Sequence, residues 1–324
     1  IDKYMKEVKL LGTDEKKRYS VLPIKNQAIW DQYKACEKQI WVAEEVDLSR
    51  DDFNSLRDSE KVYLKNILSF FAISDSLVIE NLSQEYVFET GILEAQYFYN
   101  LQVFIEQVHT DGYARLIDTF IKDRQEKEDM FDAMATNPAV SAKAKWAEDW
   151  ISSDSFVERL VAFGLVEGLS FSSVFAGIFW YRSRGLMPGL AEMNEFIVRD
   201  ETSHYEFAVH LYKERVAKED KLSNEKLLSM VLSCYETEKE FVNNSMPDGL
   251  QGLTKDMMIQ FVQFTADIIL KDLGCPTYFN VKSPLEYMAR IGLSNKNNFF
   301  EKRKGDYTRV DIPTDSEGMF SDDF

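Results

Sequence analysis

Glu106-Gln107-Val108-His109-Thr110-Asp111-Gly112-Tyr113 and, far downstream, Glu201-Thr202-Ser203-His204 carry the same short pattern, Glu-x-x-His. Each lies in a run where apolar residues return every three or four positions, which predicts a helix. Positions three apart on a helix project from one face about a turn apart, so the carboxylate and the imidazole can reach one ion. The chain has three histidines in all, His109, His204 and His210. With Glu at roughly one position in ten, two of three finding a Glu three residues upstream is roughly a 3% accident. The pattern therefore predicts two metal half-sites on two helices.

A lone acid strengthens this. Glu167 sits in Val161-Ala162-Phe163-Gly164-Leu165-Val166-Glu167-Gly168-Leu169, where an uncompensated carboxylate costs several kcal/mol of desolvation. Helix bundles build two-metal carboxylate sites from one Glu on each of two helices and Glu-x-x-His on each of the other two. A second lone acid is then needed, and Asp47 is the candidate, although spacing does not separate it from Glu44 or Glu45. Mixed oxygen and imidazole ligands suit iron or manganese. Tyr113 falls one turn beyond His109 on the same face, and Phe171 and Phe175, four apart, could wall off water around it.

Outward from these motifs the chain reads as helix after helix, with seven prolines and fourteen glycines in 324 residues. Helices are expected near 27–41, 60–88, 92–120, 156–184, 190–216, 223–244 and 254–273, with shorter ones between. Arg184-Gly185-Leu186-Met187-Pro188-Gly189 is a strong break. Beyond Asn295 the stripe dissolves, and Asp311–Phe324 reads as a disordered acidic tail. The expected organisation is an extension over 1–20, one helical domain over 21–295 and a flexible tail over 296–324. A net charge of −17 argues against nucleic acid as a partner. Three scattered cysteines fit a reducing compartment rather than a disulfide framework. Phe163 to Trp180 approaches a membrane span, but Glu167 within it and the lack of a second such stretch favour the core of a soluble bundle.

Taken together, Ile29-Trp30-Asp31-Gln32-Tyr33-Lys34, Ala43-Glu44-Glu45-Val46-Asp47-Leu48, Glu106-x-x-His109-x-x-x-Tyr113, Val166-Glu167-Gly168, Arg182 to Leu190, Arg199-Asp200-Glu201-x-x-His204 and Asn298 to Arg303 resemble the small subunit of ribonucleotide reductase. The resemblance runs from about residue 20 to the C-terminus. It implies an all-α, ferritin-like bundle with two iron ions, manganese being the alternative. Asp47, Glu106 and His109 would hold the metal nearer the tyrosine and Glu167, Glu201 and His204 the other, with Glu106 and Glu201 bridging. It also implies that molecular oxygen at this centre generates a tyrosyl radical at Tyr113. That radical would be relayed through His109, Asp200, Trp30 and Tyr307 to a large catalytic subunit, which reduces ribonucleotides to deoxyribonucleotides. The C-terminal tail would dock on that subunit, and a cytoplasmic homodimer is implied. A two-metal oxidase or hydroxylase, or an iron-binding non-enzyme, could use the same fold and ligands. The first gives no use to Trp30 or the tail, and the second leaves Tyr113 unexplained.

Overall fold

The computed structural model describes residue 10, residues 18–81 and residues 89–288, and every regular element among them is helical. In order they are α1 (Gln27–Glu37), α2 (Asp58–Asn81), α3 (Leu93–Phe120), α4 (Arg124–Phe131), α5 (Ala133–Thr136), α6 (Pro138–Ile151), α7 (Phe156–Leu165), α8 (Ser172–Ser183), α9 (Pro188–Glu214), α10 (Asn224–Ser245) and α11 (Lys255–Asp272). Short 3₁₀ turns at Ala43–Glu45, Leu48–Arg50 and Phe53–Ser55 join α1 to α2. The all-α bundle expected from the periodicity is the fold observed. Tyr307 and the tail over 296–324 lie outside the described residues, as does nearly all of the 1–20 extension.

Helix starts follow local chemistry. Ser155, Ser223 and Thr254 each accept from a backbone N–H three residues on, and Asn137 does so just before Pro138, satisfying donors that a helix N-terminus leaves without partners. The N-terminus of α9 is capped from outside: both Asp51 carboxylate oxygens accept from it, one from Gly189 N–H and one from Leu190 N–H, at 2.7 Å each. A Cβ at Gly189 would stand 2.6 Å from the Asp47 carbonyl oxygen, so only glycine admits that loop.

The stretch expected as one helix over 156–184 is interrupted. Val166–Ser170 forms a single π-helical turn between α7 and α8, the kind of local widening that frequently marks functional sites. Phe156–Ser183 is long and apolar enough to cross a membrane, yet 89% of its most apolar window is buried inside the fold. Its apolar surface is therefore spent on neighbouring helices. Two apolar clusters fill the interior. One contains Tyr113, Phe71, Phe171 and Phe175; the other is built on Phe98, Tyr99, Leu165 and Phe207. Helices α2, α3 and α9 pack in series, with α9 also against α7 and the π turn.

Candidate metal centre

Helix α3 brings Glu106 and His109 to one face, α9 brings Glu201 and His204, and the π turn brings Glu167. One ligand atom each from Glu106, Glu167, Glu201 and His204 lies within 4.8 Å of the others, and all four residues are buried. His109 joins them through Nδ1, 3.0 Å from Glu201 Oε1 and 3.3 Å from Glu106 Oε2. Glu106 Oε1 and Glu201 Oε2 lie 3.0 Å and 3.1 Å from His204 Nδ1. Each of these two carboxylates thus spans both imidazoles, one oxygen to each.

The electrostatics follow from acids and imidazoles crowded together away from water. Burial opposes charging of His109, but its contact with Asp200 and the adjacent Glu106 and Glu201 carboxylates outweigh it and hold the imidazole well above its ordinary range. His204 is pushed up to about 9, burial again being outweighed by Glu106 and Glu201. Burial would raise Glu201, yet the Glu167 carboxyl and both imidazoles hold it well below the usual carboxylate range. Three converging carboxylates call for positive charge, and Glu106 Oε2 and His109 Nδ1 are buried without a well-aligned hydrogen bond. The donor set, carboxylate oxygens with imidazole nitrogens, fits a pair of iron or manganese ions.

Around the cluster, Gln102, one turn before Glu106, donates to Glu167 Oε1 at 3.0 Å. His109 Nε2 lies 3.2 Å from Asp200 Oδ2, and Trp41 Nε1 donates to that same oxygen at 2.7 Å. Burial would raise Asp200, but Arg199, His109 and Trp41 together keep its carboxyl below the usual range. Tyr113 is fully buried, its ring stacked on Phe71 at 4.2 Å and 7°. Phe175 and Phe171 pack on that same Phe71 ring at 5.2 Å and 5.9 Å. The Tyr113 hydroxyl donates to Asn194 Oδ1 at 3.2 Å.

Two expectations from the sequence are corrected. Asp47 does not join the cluster: its side chain is 60% exposed, accepts from Ser49 N–H and lies 3.8 Å from Arg50. Its loop is fixed against Gly189, and the twelve residues from Gly189 to Glu201 span about 18 Å of α9, far beyond the reach of an aspartate. Trp30 does not reach Asp200 either; its ring packs on Tyr33 and Tyr97 at 4.9 Å and 5.7 Å, while Trp41 takes the place expected for it. The criterion applied to Glu167, a lone acid inside an apolar helix, also picks out Asp75 in Phe70-Phe71-Ala72-Ile73-Ser74-Asp75-Ser76-Leu77-Val78-Ile79. Asp75 lies in α2, one turn beyond Phe71. No sequence signal pairs Trp41 with Asp200, because their contact joins positions 159 apart.

A family model described as ribonucleotide reductase, small chain, matches residues 18–284. Over 312 residues the sequence is 43% identical to one of the ribonucleoside-diphosphate reductase small chains of Arabidopsis thaliana, covering 94% of this protein and 93% of that one. It is 42% identical over 307 residues to the small chain of Variola virus, covering 94% and 95%. Among solved structures, the ribonucleotide reductase Rnr4 homodimer of Saccharomyces cerevisiae superposes with a TM-score of 0.77 at 31% identity, covering 87% of this protein and 91% of the yeast one. Fold, site and relatives agree, and the chain belongs to the ribonucleotide reductase small-chain family, as a subunit of an oxidoreductase.

Proposed function

We propose that the cluster holds two iron ions and that Tyr113 stores the oxidising equivalent this subunit contributes to reduction of ribonucleoside diphosphates. Iron with molecular oxygen would supply a one-electron oxidant beside Tyr113. Glu106 and Glu201 act as bridging carboxylates, a role supported by the way each spans both imidazoles. Glu167 and His204 would serve one metal and His109 the other, and Asp75, the lone acid in the apolar run of α2, would replace Asp47 as the remaining acid.

The observation that carries this reading is the setting of Tyr113, one turn beyond His109 and closed off by aromatic rings. Water exclusion protects a phenoxyl radical, and Asn194 gives the phenol a fixed hydrogen-bond acceptor. Electrons then pass between Tyr113 and the surface through His109, Asp200 and Trp41. The run of contacts through a single Asp200 oxygen supports that route, as do the exposed Ile40 and Val42 flanking Trp41. Tyr307 and the tail over 296–324 complete it toward a large catalytic subunit. The bundle over 21–295 forms a homodimer, as the yeast relative does. Cys36, Cys234 and Cys275 are free thiols, in keeping with a cytoplasmic setting.

Apo-protein given ferrous iron and oxygen, read by low-temperature electron paramagnetic resonance, tests this. A doublet phenoxyl signal is expected in the parent and absent in Tyr113→Phe. Metal uptake and oxygen consumption with no tyrosine-dependent signal would favour manganese as the working metal or a two-metal oxidase.

A further inference from the structure

The helix break that carries Glu167 is held at its C-terminal exit by a buried ion pair outside the cluster. Lys143 of α6 and Glu238 of α10 have side chains 1% exposed and meet at 2.6 Å. Burying both charges is costly, and a neutral pair of similar volume is often no less stable, so the pair invites the question of what else it holds. Lys143 Nζ donates to the carbonyl of Ser170, the last residue of the π turn. Glu238 Oε1 accepts from the N–H of Ser173 at 3.2 Å, within the first turn of α8. A helix segment that ends and restarts leaves carbonyls on one side and N–H groups on the other without intrahelical partners. The cation meets the carbonyl end and the anion the amide end, each matching the helix dipole there. The ammonium is further fixed over the rings of Phe70 and Phe241, at 3.7 Å and 4.2 Å from their centroids.

We propose that Lys143 and Glu238 are positioning residues for Glu167: together they clamp the junction where the π turn passes into α8 and so set the direction from which its carboxylate enters the metal cluster. The inference rests on the metal-centre reading above. Gln102 holds one Glu167 oxygen from α3, and the ion pair holds the backbone that presents it.

The test titrates full-length apo-protein with Mn(II), read by equilibrium dialysis and electron paramagnetic resonance, for the parent, Lys143→Met, Glu238→Gln and Glu60→Gln. The last removes the buried partner of another ion pair, Glu60 with half-buried Arg184, at the far end of α8. The parent and Glu60→Gln are expected to bind two spin-coupled ions per chain, even though Glu60→Gln melts earlier. Lys143→Met and Glu238→Gln should bind the second ion at least about tenfold more weakly, as loss of groups supporting a metal ligand does, and show the six-line signal of an isolated ion. Should Lys143→Met fail to fold, Glu238→Gln carries the test, since it keeps its volume but removes the charge that anchors Lys143 on the Ser170 carbonyl and that complements the amide end of α8. Two ions bound with parental affinity in a folded variant would overturn the positioning role. A parent that binds fewer than two would instead overturn the metal-centre reading beneath it.

Discussion

Replacing Trp41 by Phe removes one hydrogen bond and leaves an aromatic ring in place. The indole N–H is one of three donors or partners on buried Asp200, the others being His109 Nε2 at 3.2 Å and Arg199 Nε at 3.1 Å. Losing a hydrogen bond to a buried charge costs about 1.5–3 kcal/mol. At roughly 2 °C per kcal/mol for a protein of this size, the melting temperature should fall by about 3–6 °C, and the variant stays folded. The cluster and Tyr113 are untouched, so the phenoxyl signal should form in near-parental yield. Turnover with the large subunit should drop at least about a hundredfold, a barrier increase of about 2.7 kcal/mol, because the contact between Asp200 and the protein edge is gone. Trp30→Phe, which alters packing against Tyr33 and Tyr97 and the Lys34 ammonium over the ring but leaves Asp200 untouched, should retain both signal and turnover. Turnover within about twofold of the parent in Trp41→Phe, or its loss in Trp30→Phe, would refute the route through Asp200.

Asp75→Asn should lose binding of one Mn(II) in equilibrium dialysis, whereas Asp47→Asn should bind as the parent does, since Asp47 is an exposed cap on Ser49. Gly189→Ala should destabilise by about 1–3 kcal/mol in urea unfolding, because a Cβ there presses on the Asp47 backbone carbonyl rather than on a side chain that can swing away. Glu94 tests pH dependence. Burial alone would raise its carboxyl, but Lys25 N–H, Asn26 and Arg18 outweigh it and hold the group down at about 2. A folded-state value below the unfolded one means its stabilisation is fully present above its ordinary value of 4.5 and is lost as pH falls toward 2. The difference in stability between the parent and Glu94→Gln should therefore be flat above that value and shrink below it, followed by circular dichroism.

The sequence makes the helical class and the pairing of Glu106 with His109 and Glu201 with His204 legible because both depend on spacing within one helix. Glu167 is legible for a different reason, the cost of a charge in an apolar run. That same cost marks Asp75, and choosing Asp47 over it treats a loop acid as if it lay near the core. Local pattern says nothing of where a loop is tied down, and Asp51 on the α9 N-terminus decides that for the whole 43–55 segment. The route from His109 outward is half legible. Asp200 is next to Glu201 in sequence, but which tryptophan meets it depends on how α1 and the segment after it lie across α9. The π turn is hidden altogether, because its apolar run keeps helical composition while changing the hydrogen-bond ring.

That turn carries a consequence for the phase of the helix. A π turn accommodates one residue more than the α-helical ladder would, so everything after it is rotated by about 100° relative to an uninterrupted helix. The face that presents Phe171 and Phe175 to Phe71 exists only with that offset. Deleting a single residue between Val166 and Ser170 would remove that extra residue and restore a regular helix with Phe171 and Phe175 still in phase with Phe71, but it would abolish the wide turn that presents Glu167. In this segment, then, length is under tighter constraint than identity: an apolar substitution changes one contact, a deletion removes the turn that carries Glu167, and a further insertion resets the angular register of every residue through Ser183.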